Sequence, residues 1–216
     1  HESNQKLNLL SSITRHDILN QLTALQGYHL LLKDTVCNED QTRWIEKAIK
    51  AGETIQSQIL FTQQYQDIGL QRPFWQNLFE CVTSVAKDHN FSIVTADPGL
   101  EGTEVFADPL LKTVFYNLFE NALMHGSTVH TIHVRGEAEK SSYRIIIEDD
   151  GKGISEANKE KIFQKGFGNH TGLGLFLVRE VLLITGLTIS ETGEPGKGAR
   201  FEILVPNTMC RKTKAA

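Results

Sequence analysis

Two asparagines one helical turn apart are the residues whose types and spacing first suggest chemistry. Asn117 and Asn121 lie in the segment 109–126, where apolar residues recur at intervals of three and four, so this segment is predicted to be an amphipathic helix. Residues four apart share one helix face, which brings the two carboxamides together. An amide is a poor core residue because its donors and its acceptor need partners. The pair therefore either caps a neighbouring loop or contacts a ligand.

Two glycine motifs follow this helix. Asp149, Gly151 and Gly153 form the pattern DxGxG after a predicted strand. The glycines allow close backbone approach to a planar ligand, and the carboxylate can accept a hydrogen bond from an exocyclic amine. Gly172 and Gly174, within TGLGL, open a predicted helix whose first N–H groups suit a phosphate. Each motif alone also fits an ordinary structure, since DDGKG is a common hairpin turn and GxG ends many loops.

A histidine with polar neighbours lies on the first predicted helix. Around this helix His16 is roughly 180° from Leu25, so it lies away from the apolar seam. Asp17 is placed to accept a proton from one ring nitrogen, which would leave the other free to act as a nucleophile. Asn20, one turn further on, could orient a water above the imidazole. The same polar cluster also fits the ordinary solvated surface of a helical bundle.

Composition and charge exclude several classes of function. The chain has 216 residues and a formal net charge of -4, so it has no basic surface for nucleic acid. Its three cysteines are widely spaced without a CxxC pair, which predicts reduced thiols and no zinc site. No apolar run is long enough to span a membrane and no signal peptide opens the chain. We therefore expect a cytoplasmic protein without membrane contact in this segment.

The elements that must position these residues divide into a helical part and a mixed part. Residues 1–66 predict two antiparallel helices, the second capped by Asn38 or Asp40. The apolar stripes of one hairpin cannot be fully buried by each other, so two hairpins should pair into a four-helix bundle in a homodimer. Residues 67–73 predict a linker. The predicted α+β domain then spans 74–208, and a polar tail spans 209–216.

The mixed part is predicted to be one sheet covered on one face by helices. The predicted helices span about 74–87, the asparagine segment, about 155–165 and the segment opened by TGLGL. The predicted strands are FSIVTA, TEVFA, 130–137, 143–148 and a final hairpin around GEPGKG.

The order of these motifs resembles the catalytic core of sensor histidine kinases, a family of two-component signalling proteins. NLFENA resembles the N box of that family, DDGKG the G1 box, IFQKGFG the F box, TGLGL the G2 box and RHDILNQL the phosphoacceptor H box. The resemblance covers residues 5–206. It implies a dimerising helical hairpin followed by a Bergerat-type α/β sandwich that binds ATP and Mg²⁺.

The resemblance also implies roles for the matching residues. Asn121 would bind Mg²⁺ with Asn117 close to the same phosphates, and Asp149 would read the adenine amino group. His16 would be the phosphorylated residue, Asp17 the acid that activates it, and Asn20 the residue that positions water for dephosphorylating the partner. The other implied ATP-site residues are Gly151 and Gly153 at the base, Phe163 and Phe167 as lid anchors, and Lys165, His170, Thr171, Gly172, Leu173 and Gly174 near the phosphates.

Several positions depart from the family pattern. Met124 and His125 stand where the N box often has Lys or Arg and then an aromatic residue, which leaves one phosphate contact unassigned. The candidates to replace this contact are Lys165, Asn169, His170 and Thr171. The F box lacks its usual proline and the lid is short. The H box lacks the Arg and Pro that often follow the acid, so the first helix should be unkinked there.

The resemblance implies an ATP-dependent protein histidine kinase. It would pass the phosphoryl group to the receiver domain of a response regulator and, with Asn20 present, would also dephosphorylate that partner. The chain begins within a helical pattern, so we expect an upstream sensor domain outside this fragment. Two alternatives are a conformational ATPase of the gyrase and chaperone superfamily and a non-catalytic dimer scaffold that binds nucleotide for stability.

Overall fold

The computed structural model of the chain describes residues 18–32, 38–168 and 172–213. The chain forms two compact units, the first ending at Gln64 and the second beginning at Tyr65. Each unit has its own internal packing.

The first unit is a helical hairpin. Its helix α1 is described over residues 18–32, and α2 spans Glu39–Asp67, with its last residues in the second unit. Asn38 caps α2, because its Oδ1 accepts a hydrogen bond from the backbone N–H of Asp40 at 2.9 Å. The two helices are joined through a hydrogen bond from Gln26 Nε2 to Gln56 Oε1 at 3.3 Å.

The hairpin exposes apolar side chains that its own two helices do not cover. Ile18, Leu25, Trp44 and Ile55 are all more than two-fifths exposed. This exposure agrees with the expectation that the apolar stripes cannot be buried within one hairpin. Dimerisation through these stripes stays a prediction.

Over its described residues, the second unit consists of two sheets and three α-helices. In chain order its elements are β1 (Phe74–Asn77), α3 (Leu78–Asp88), β2 (Val94–Ala96), β3 (Thr103–Ala107), α4 (Leu111–His125), β4 (Ile132–Ala138), β5 (Ser142–Asp149), α5 (Gly174–Leu183), β6 (Thr188–Glu191), β7 (Arg200–Pro206) and β8 (Cys210–Lys212). The larger sheet has the strand order β2-β4-β5-β7-β6, in which only β2 and β4 are parallel. The smaller sheet is antiparallel, with the order β1-β3-β8.

The core lies on one face of the larger sheet, where α3, α4 and α5 pack. Alternate strand residues such as Ile132, Ile145 and Ile203 are fully buried there, as are Phe115 and Phe119 of α4. Burial of each such side chain stabilises the fold by about 1.5–3 kcal/mol. The apolar stripe that predicts α4 thus holds this helix, and the asparagines on it, against the sheet.

The opposite face of this sheet carries a ladder of ion pairs. Glu148 of β5 pairs with Arg135 of β4 at 2.5 Å and with Arg200 of β7 at 3.3 Å, and Arg200 also pairs with Glu202 at 2.8 Å. Ile146 lies on this face and is nevertheless fully buried. The ladder follows the strand register that ends β5 at Asp149.

The start of the second unit differs from the sequence prediction. Residues 74–77, predicted as the beginning of a helix, form β1 and pair with β3. The helix α3 begins only at Leu78, and Asn77 caps it by accepting a hydrogen bond from the N–H of Glu80 at 3.1 Å. The pairing with β3 is non-local, so it overrides the helical periodicity of this segment.

Two further segments differ from the prediction. The segment predicted as a helix at 155–165 forms two single 3-10 turns, Glu156–Asn158 and Lys161–Phe163. Residues 210–212, predicted as part of a polar tail, form β8 and pair with β3. Arg211 of this strand lies over the ring of Trp75, 4.2 Å from its centre. The second unit therefore has a second sheet where the sequence predicts only one.

Candidate functional site

A cavity of about 490 Å³ lies between the end of α4, the loop after β5 and the start of α5. Four residues that the sequence predicts for the site line it together: Asn121, Asp149, Gly153 and Phe167. The other lining residues are Ala122, His125, Gly126, Lys152, Ile154, Ser155, Asn158, Ile162, Gly168, Leu175 and Ala199. The volume falls within the range of cavities that enclose small-molecule ligands and cofactors.

Asp149 is held by one of its two carboxylate oxygens. Its Oδ1 accepts hydrogen bonds from the N–H groups of Gly151 at 2.9 Å and Ala199 at 3.1 Å. Its Oδ2 accepts no hydrogen bond from the described part of the chain. One oxygen thus orients the carboxylate, and the other stays available as an acceptor for a ligand that donates, such as an exocyclic amine.

Two glycines of the loop after β5 (residues 149–155, the G1 loop) are required by close backbone approach. A Cβ on Gly151 would lie 2.7 Å from the carbonyl oxygen of Gly126. Gly153 has φ of +70°, and a Cβ there would lie 2.8 Å from the carbonyl oxygen of Gly198. The G1 loop is therefore packed between the end of α4 and the loop that joins β6 to β7.

The two asparagines of α4 have different surroundings. Asn121 lines the cavity. Asn117 donates from Nδ2 to the carbonyl oxygen of Thr113 at 2.8 Å, and its Oδ1 would lie 2.8 Å from a Cβ on Gly174. Asn117 does not line the cavity and instead lies at the crossing of α4 and α5. Gly174 is thus the residue that lets the two helices approach at this point.

The beginning of α5 has the geometry of an anion site. Leu173 occupies the N-cap position and has no side-chain acceptor, so the first N–H groups of α5 are not capped by it. Gly172 has φ of +61°, and its carbonyl oxygen accepts a hydrogen bond from the N–H of Gly166 at 3.0 Å. Uncapped N–H groups at a helix start favour negative charge, including phosphate.

The two phenylalanines between the glycine motifs, Phe163 and Phe167, have different surroundings. Phe163 is buried in the core, with its ring edge-on to Phe201 at 6.3 Å between centres, whereas Phe167 lines the cavity. Lys165 is exposed and does not line the cavity. His170 and Thr171 lie outside the described residues, as does Asn169.

Asp150 binds the backbone of the fold and does not line the cavity. Its Oδ1 accepts hydrogen bonds from the N–H groups of His130 at 2.8 Å and Thr131 at 3.1 Å. These backbone hydrogen bonds lower the pKa of Asp150 below its ordinary value. Because the folded pKa is depressed, the stabilising contribution of this carboxylate is present at neutral pH and is lost as the pH falls through the folded pKa.

Several lining residues were not predicted from the sequence as part of the site. His125 lies four residues after Asn121 and so shares its helix face, a signal that the helical spacing contained. Ala199 reaches the cavity because β7 pairs with β5 so that Arg200 is opposite Glu148. No local pattern indicates this position, since it depends on a register between distant strands.

Replacement of Gly151 by Ala is expected to disturb the cavity through the backbone. The added Cβ would collide with backbone atoms of Gly126, which cannot move aside as a side chain could. We expect the free energy of unfolding to fall by about 1–3 kcal/mol, as for other overpacked positions. The affinity for ADP should fall roughly tenfold, which corresponds to a loss of about 1.4 kcal/mol in the free energy of binding.

The control for this substitution is Gly186→Ala. Gly186 has φ of +72° with open space around its Cβ position, and it lies outside the cavity. This variant should lose stability through backbone strain while keeping its ADP affinity. Thermal unfolding and calorimetric ADP titration measure the two quantities, and equal ADP affinity in both variants would contradict the role given to Gly151.

The described residues contain no cluster of three or more His, Cys, Asp or Glu side chains that could hold a metal ion by itself. Within the same residues, no helix is both long and apolar enough to cross a membrane.

Residues 107–209 match the family described as Histidine kinase-, DNA gyrase B-, and HSP90-like ATPase. The alginate biosynthesis sensor protein KinB of Pseudomonas aeruginosa is 36% identical over 104 residues, which are 44% of this chain and 17% of KinB. The signal transduction histidine-protein kinase AtoS of Escherichia coli (strain K12) is 28% identical over 204 residues, which are 88% of this chain and 33% of AtoS. The chain thus spans a third or less of the length of these two relatives.

Two solved structures share the fold. Full-length ShkA in complex with AMPPNP has a TM-score of 0.66 and 18% identity, over 95% of this chain and 46% of that one. Histidine kinase ThkA in complex with the response regulator protein TrrA has a TM-score of 0.57 and 22% identity, over 95% of this chain and 63% of that one. At these identities the likeness concerns the fold of the chain.

Proposed function

We propose that the chain contains the catalytic core of a sensor histidine kinase, and that it uses Mg-ATP to phosphorylate His16 and then transfers the phosphoryl group to an aspartate of a response regulator. The observation that carries this proposal is the single cavity lined by Asn121 and Asp149. Two motifs that are 28 positions apart in the sequence thereby meet at one ligand-sized site.

The nucleotide would bind with its base against the G1 loop and its phosphates towards α5. Asp149 would accept a hydrogen bond from the adenine amino group through Oδ2, while Oδ1 stays bound to the loop. The first N–H groups of α5, which Leu173 does not cap, would face the phosphates. Phe167 and Leu175 line the cavity and supply apolar contact area.

Mg²⁺ would be held in the cavity by the protein and the nucleotide phosphates together. Mg²⁺ prefers oxygen ligands and is usually held by one or two protein groups together with substrate phosphates and waters. Asn121 lines the cavity and would supply its amide oxygen as a ligand there. When bound, the ion would neutralise charge that develops on the phosphoryl oxygens during transfer. Lys165, Asn169, His170 and Thr171 stay candidates for the missing phosphate contact.

In the proposed transfer, a ring nitrogen of His16 attacks the γ-phosphorus and ADP leaves. Asp17 would accept the proton from the other ring nitrogen as the N–P bond forms, so that the imidazole stays in the reactive tautomer. Both residues lie outside the described residues. Most of the rate enhancement would come from positioning and charge neutralisation, because phosphoryl transfer requires little covalent chemistry from the protein.

The proposed partners are a second copy of the chain and a response regulator. The exposed apolar stripes of α1 and α2 support pairing of two hairpins into a four-helix bundle. The relatives named above as sensor proteins, and the fold shared with ThkA in its complex with TrrA, support a receiver domain as the substrate of the phosphorylated histidine.

Replacement of Asn20 by Ala is expected to separate two activities. Asn20 is exposed on α1, one turn after His16, where it would orient the water that attacks the phosphorylated regulator. The variant should autophosphorylate at the rate of the unaltered chain but dephosphorylate its regulator about 10²-fold to 10⁴-fold more slowly, the range typical of a lost positioned catalytic group. Equal dephosphorylation rates, measured by loss of label from the regulator, would contradict this role.

Incubation with γ-labelled ATP tests the proposed function as a whole. A histidine kinase should acquire label that is labile in acid and stable in base, on the residue that mass spectrometry identifies as His16. A conformational ATPase would release inorganic phosphate without labelling the protein. A nucleotide-binding scaffold would bind ADP and do neither.

A further inference from the structure

Two further segments of the chain form walls of the cavity beside the G1 loop. The first is the segment 155–163, from which Ser155, Asn158 and Ile162 line the cavity. The second is the loop between β6 and β7 (residues 192–199, the β6–β7 loop), which reaches the cavity at Ala199. These walls belong to different parts of the sequence, so a contact between them ties one wall to the other.

Lys159 makes that contact from the first wall. Its side chain is only 16% exposed, and its Nζ donates a hydrogen bond to the carbonyl oxygen of Gly193 at 2.6 Å. The same ammonium pairs with Glu156 at 2.7 Å and lies 3.6 Å from Glu191 Oε2. Lys159 does not line the cavity itself. Its contact is therefore with the β6–β7 loop, and other residues would contact the nucleotide.

Glu191 receives the contact at the base of the second wall. Its side chain is completely buried, and its Oε1 accepts hydrogen bonds from the N–H groups of Gly193 at 3.0 Å and Arg200 at 3.1 Å. Its Oε2 has no hydrogen-bond partner in the described part of the chain and faces the ammonium of Lys159. An apolar side chain would leave these two N–H groups without an acceptor, so the site needs the carboxylate. A buried carboxylate is destabilising unless it is paired, and Lys159 supplies the compensating charge.

The β6–β7 loop is tied to the residue that would read the base. The N–H of Ala199 donates to Asp149 Oδ1 at 3.1 Å, and the N–H of Gly196 donates to the carbonyl oxygen of Lys152 at 2.8 Å. Gly198 is so close to Asp149 that a Cβ on it would lie 1.8 Å from the Asp149 carbonyl oxygen. A displacement of the loop that reaches Gly198 and Ala199 would therefore move the anchor of the Asp149 carboxylate.

We propose that Lys159 and Glu191 are positioning residues that hold the β6–β7 loop so that Asp149 selects a purine with a 6-amino group. The pair joins the two walls, and the N–H of Ala199 at the end of the loop binds Asp149 Oδ1. This inference rests on the proposed nucleotide site, and it adds a determinant of base selectivity that lies outside the cavity.

The test compares the binding of ADP and IDP, whose bases differ at the 6-position, to the full chain by calorimetry. In Lys159→Met the affinity for ADP should fall about threefold to tenfold, as expected when one hydrogen bond is loosened. The affinity for IDP should change less, so the ratio of the ADP affinity to the IDP affinity should fall. A role in stability alone would lower the melting temperature and leave this ratio unchanged in the folded protein.

Glu191→Gln is the second variant, because its amide oxygen can still accept the hydrogen bonds from Gly193 and Arg200. It should lower the ratio in the same direction as Lys159→Met does, and the double variant should lower it no further than Lys159→Met alone, since both changes remove the same ion pair. The matched control is Lys197→Met, which removes an ion pair with Glu194 in the same loop where both side chains are at least 70% exposed. Lys197→Met should keep the ratio of the unaltered chain.

Two outcomes distinguish failure of this inference from failure of the proposed function. If the unaltered chain prefers ADP, and both Lys159→Met and Glu191→Gln keep its ratio, the positioning role is overturned and the nucleotide site stands. If the unaltered chain binds neither nucleotide, the proposed function is overturned and the positioning role falls with it.

Discussion

A chain in which His16 is replaced by Gln is expected to incorporate no phosphoryl group from γ-labelled ATP, while it binds ADP as the unaltered chain does. Gln lacks the ring nitrogen that would form the N–P bond, so the loss of labelling should be complete. All residues that line the cavity lie in the second unit, from Asn121 to Ala199, whereas His16 belongs to the first. The ADP affinity should therefore change by less than about twofold, as for a substitution away from a binding site.

The control for this experiment is His29→Gln, on the same helix. His29 is partly buried, and the Nδ1 of its ring is buried without a hydrogen-bond partner among the described residues. This variant should still acquire acid-labile label. Label that persists in His16→Gln, or that mass spectrometry places on another residue, would contradict the assignment of His16.

A chain in which Asp149 is replaced by Asn is expected to lose most of its affinity for ADP. The two oxygens of Asp149 have separate tasks, since Oδ1 accepts hydrogen bonds from Gly151 and Ala199 and Oδ2 would accept one from the base. An Asn side chain has one oxygen and one NH₂ group, so a donor must face either the two backbone N–H groups or the adenine amine. The orientation that keeps both backbone bonds loses the hydrogen bond to the base, and a hydrogen bond to a charged group contributes about 1.5–3 kcal/mol. This loss predicts about a 10-fold to 150-fold decrease in affinity.

The same substitution should weaken IDP binding less than ADP binding, because an amide can donate to the 6-oxo group of IDP. The matched control is Asp150→Asn, since Asp150 is the neighbouring carboxylate and its Oδ1 binds only the backbone N–H groups of His130 and Thr131. Asp150→Asn keeps an oxygen for those bonds and should keep the ADP affinity. Calorimetric titration of both variants decides the matter, and equal losses in the two would argue against base reading by Asp149.

Much of the fold was predictable because the apolar residues that form a periodic pattern in the sequence are the ones buried in the structure. The apolar stripe of α4 predicts a helix, and Phe115 and Phe119 on it are indeed fully buried. The strand β5 ends at Asp149, at the start of the DxGxG motif. The fold class, a helical hairpin followed by an α/β sandwich, is confirmed.

Other elements were not predictable from local pattern. The segment Phe74–Asn77 has helical periodicity but pairs with β3, although the spacing of Asn77 and Glu80 contained the signal of a helix cap. Residues 155–163 have a helix-forming composition and are instead held in two 3-10 turns, where Lys159 is drawn to the β6–β7 loop. In both cases contacts with distant residues override the local preference, which is weak.

The sequence by itself determined which residues are chemically able to serve a nucleotide site: an amide pair, a carboxylate between glycines and a glycine-led helix, in that order. Only the tertiary structure decided how these groups divide their tasks. It places Asn121 in the cavity and Asn117 at a helix crossing, and it binds one oxygen of Asp149 to Ala199, fifty residues away. The physical reason is that helical spacing and backbone freedom are local properties, whereas the partner of a buried polar group depends on strand register and packing.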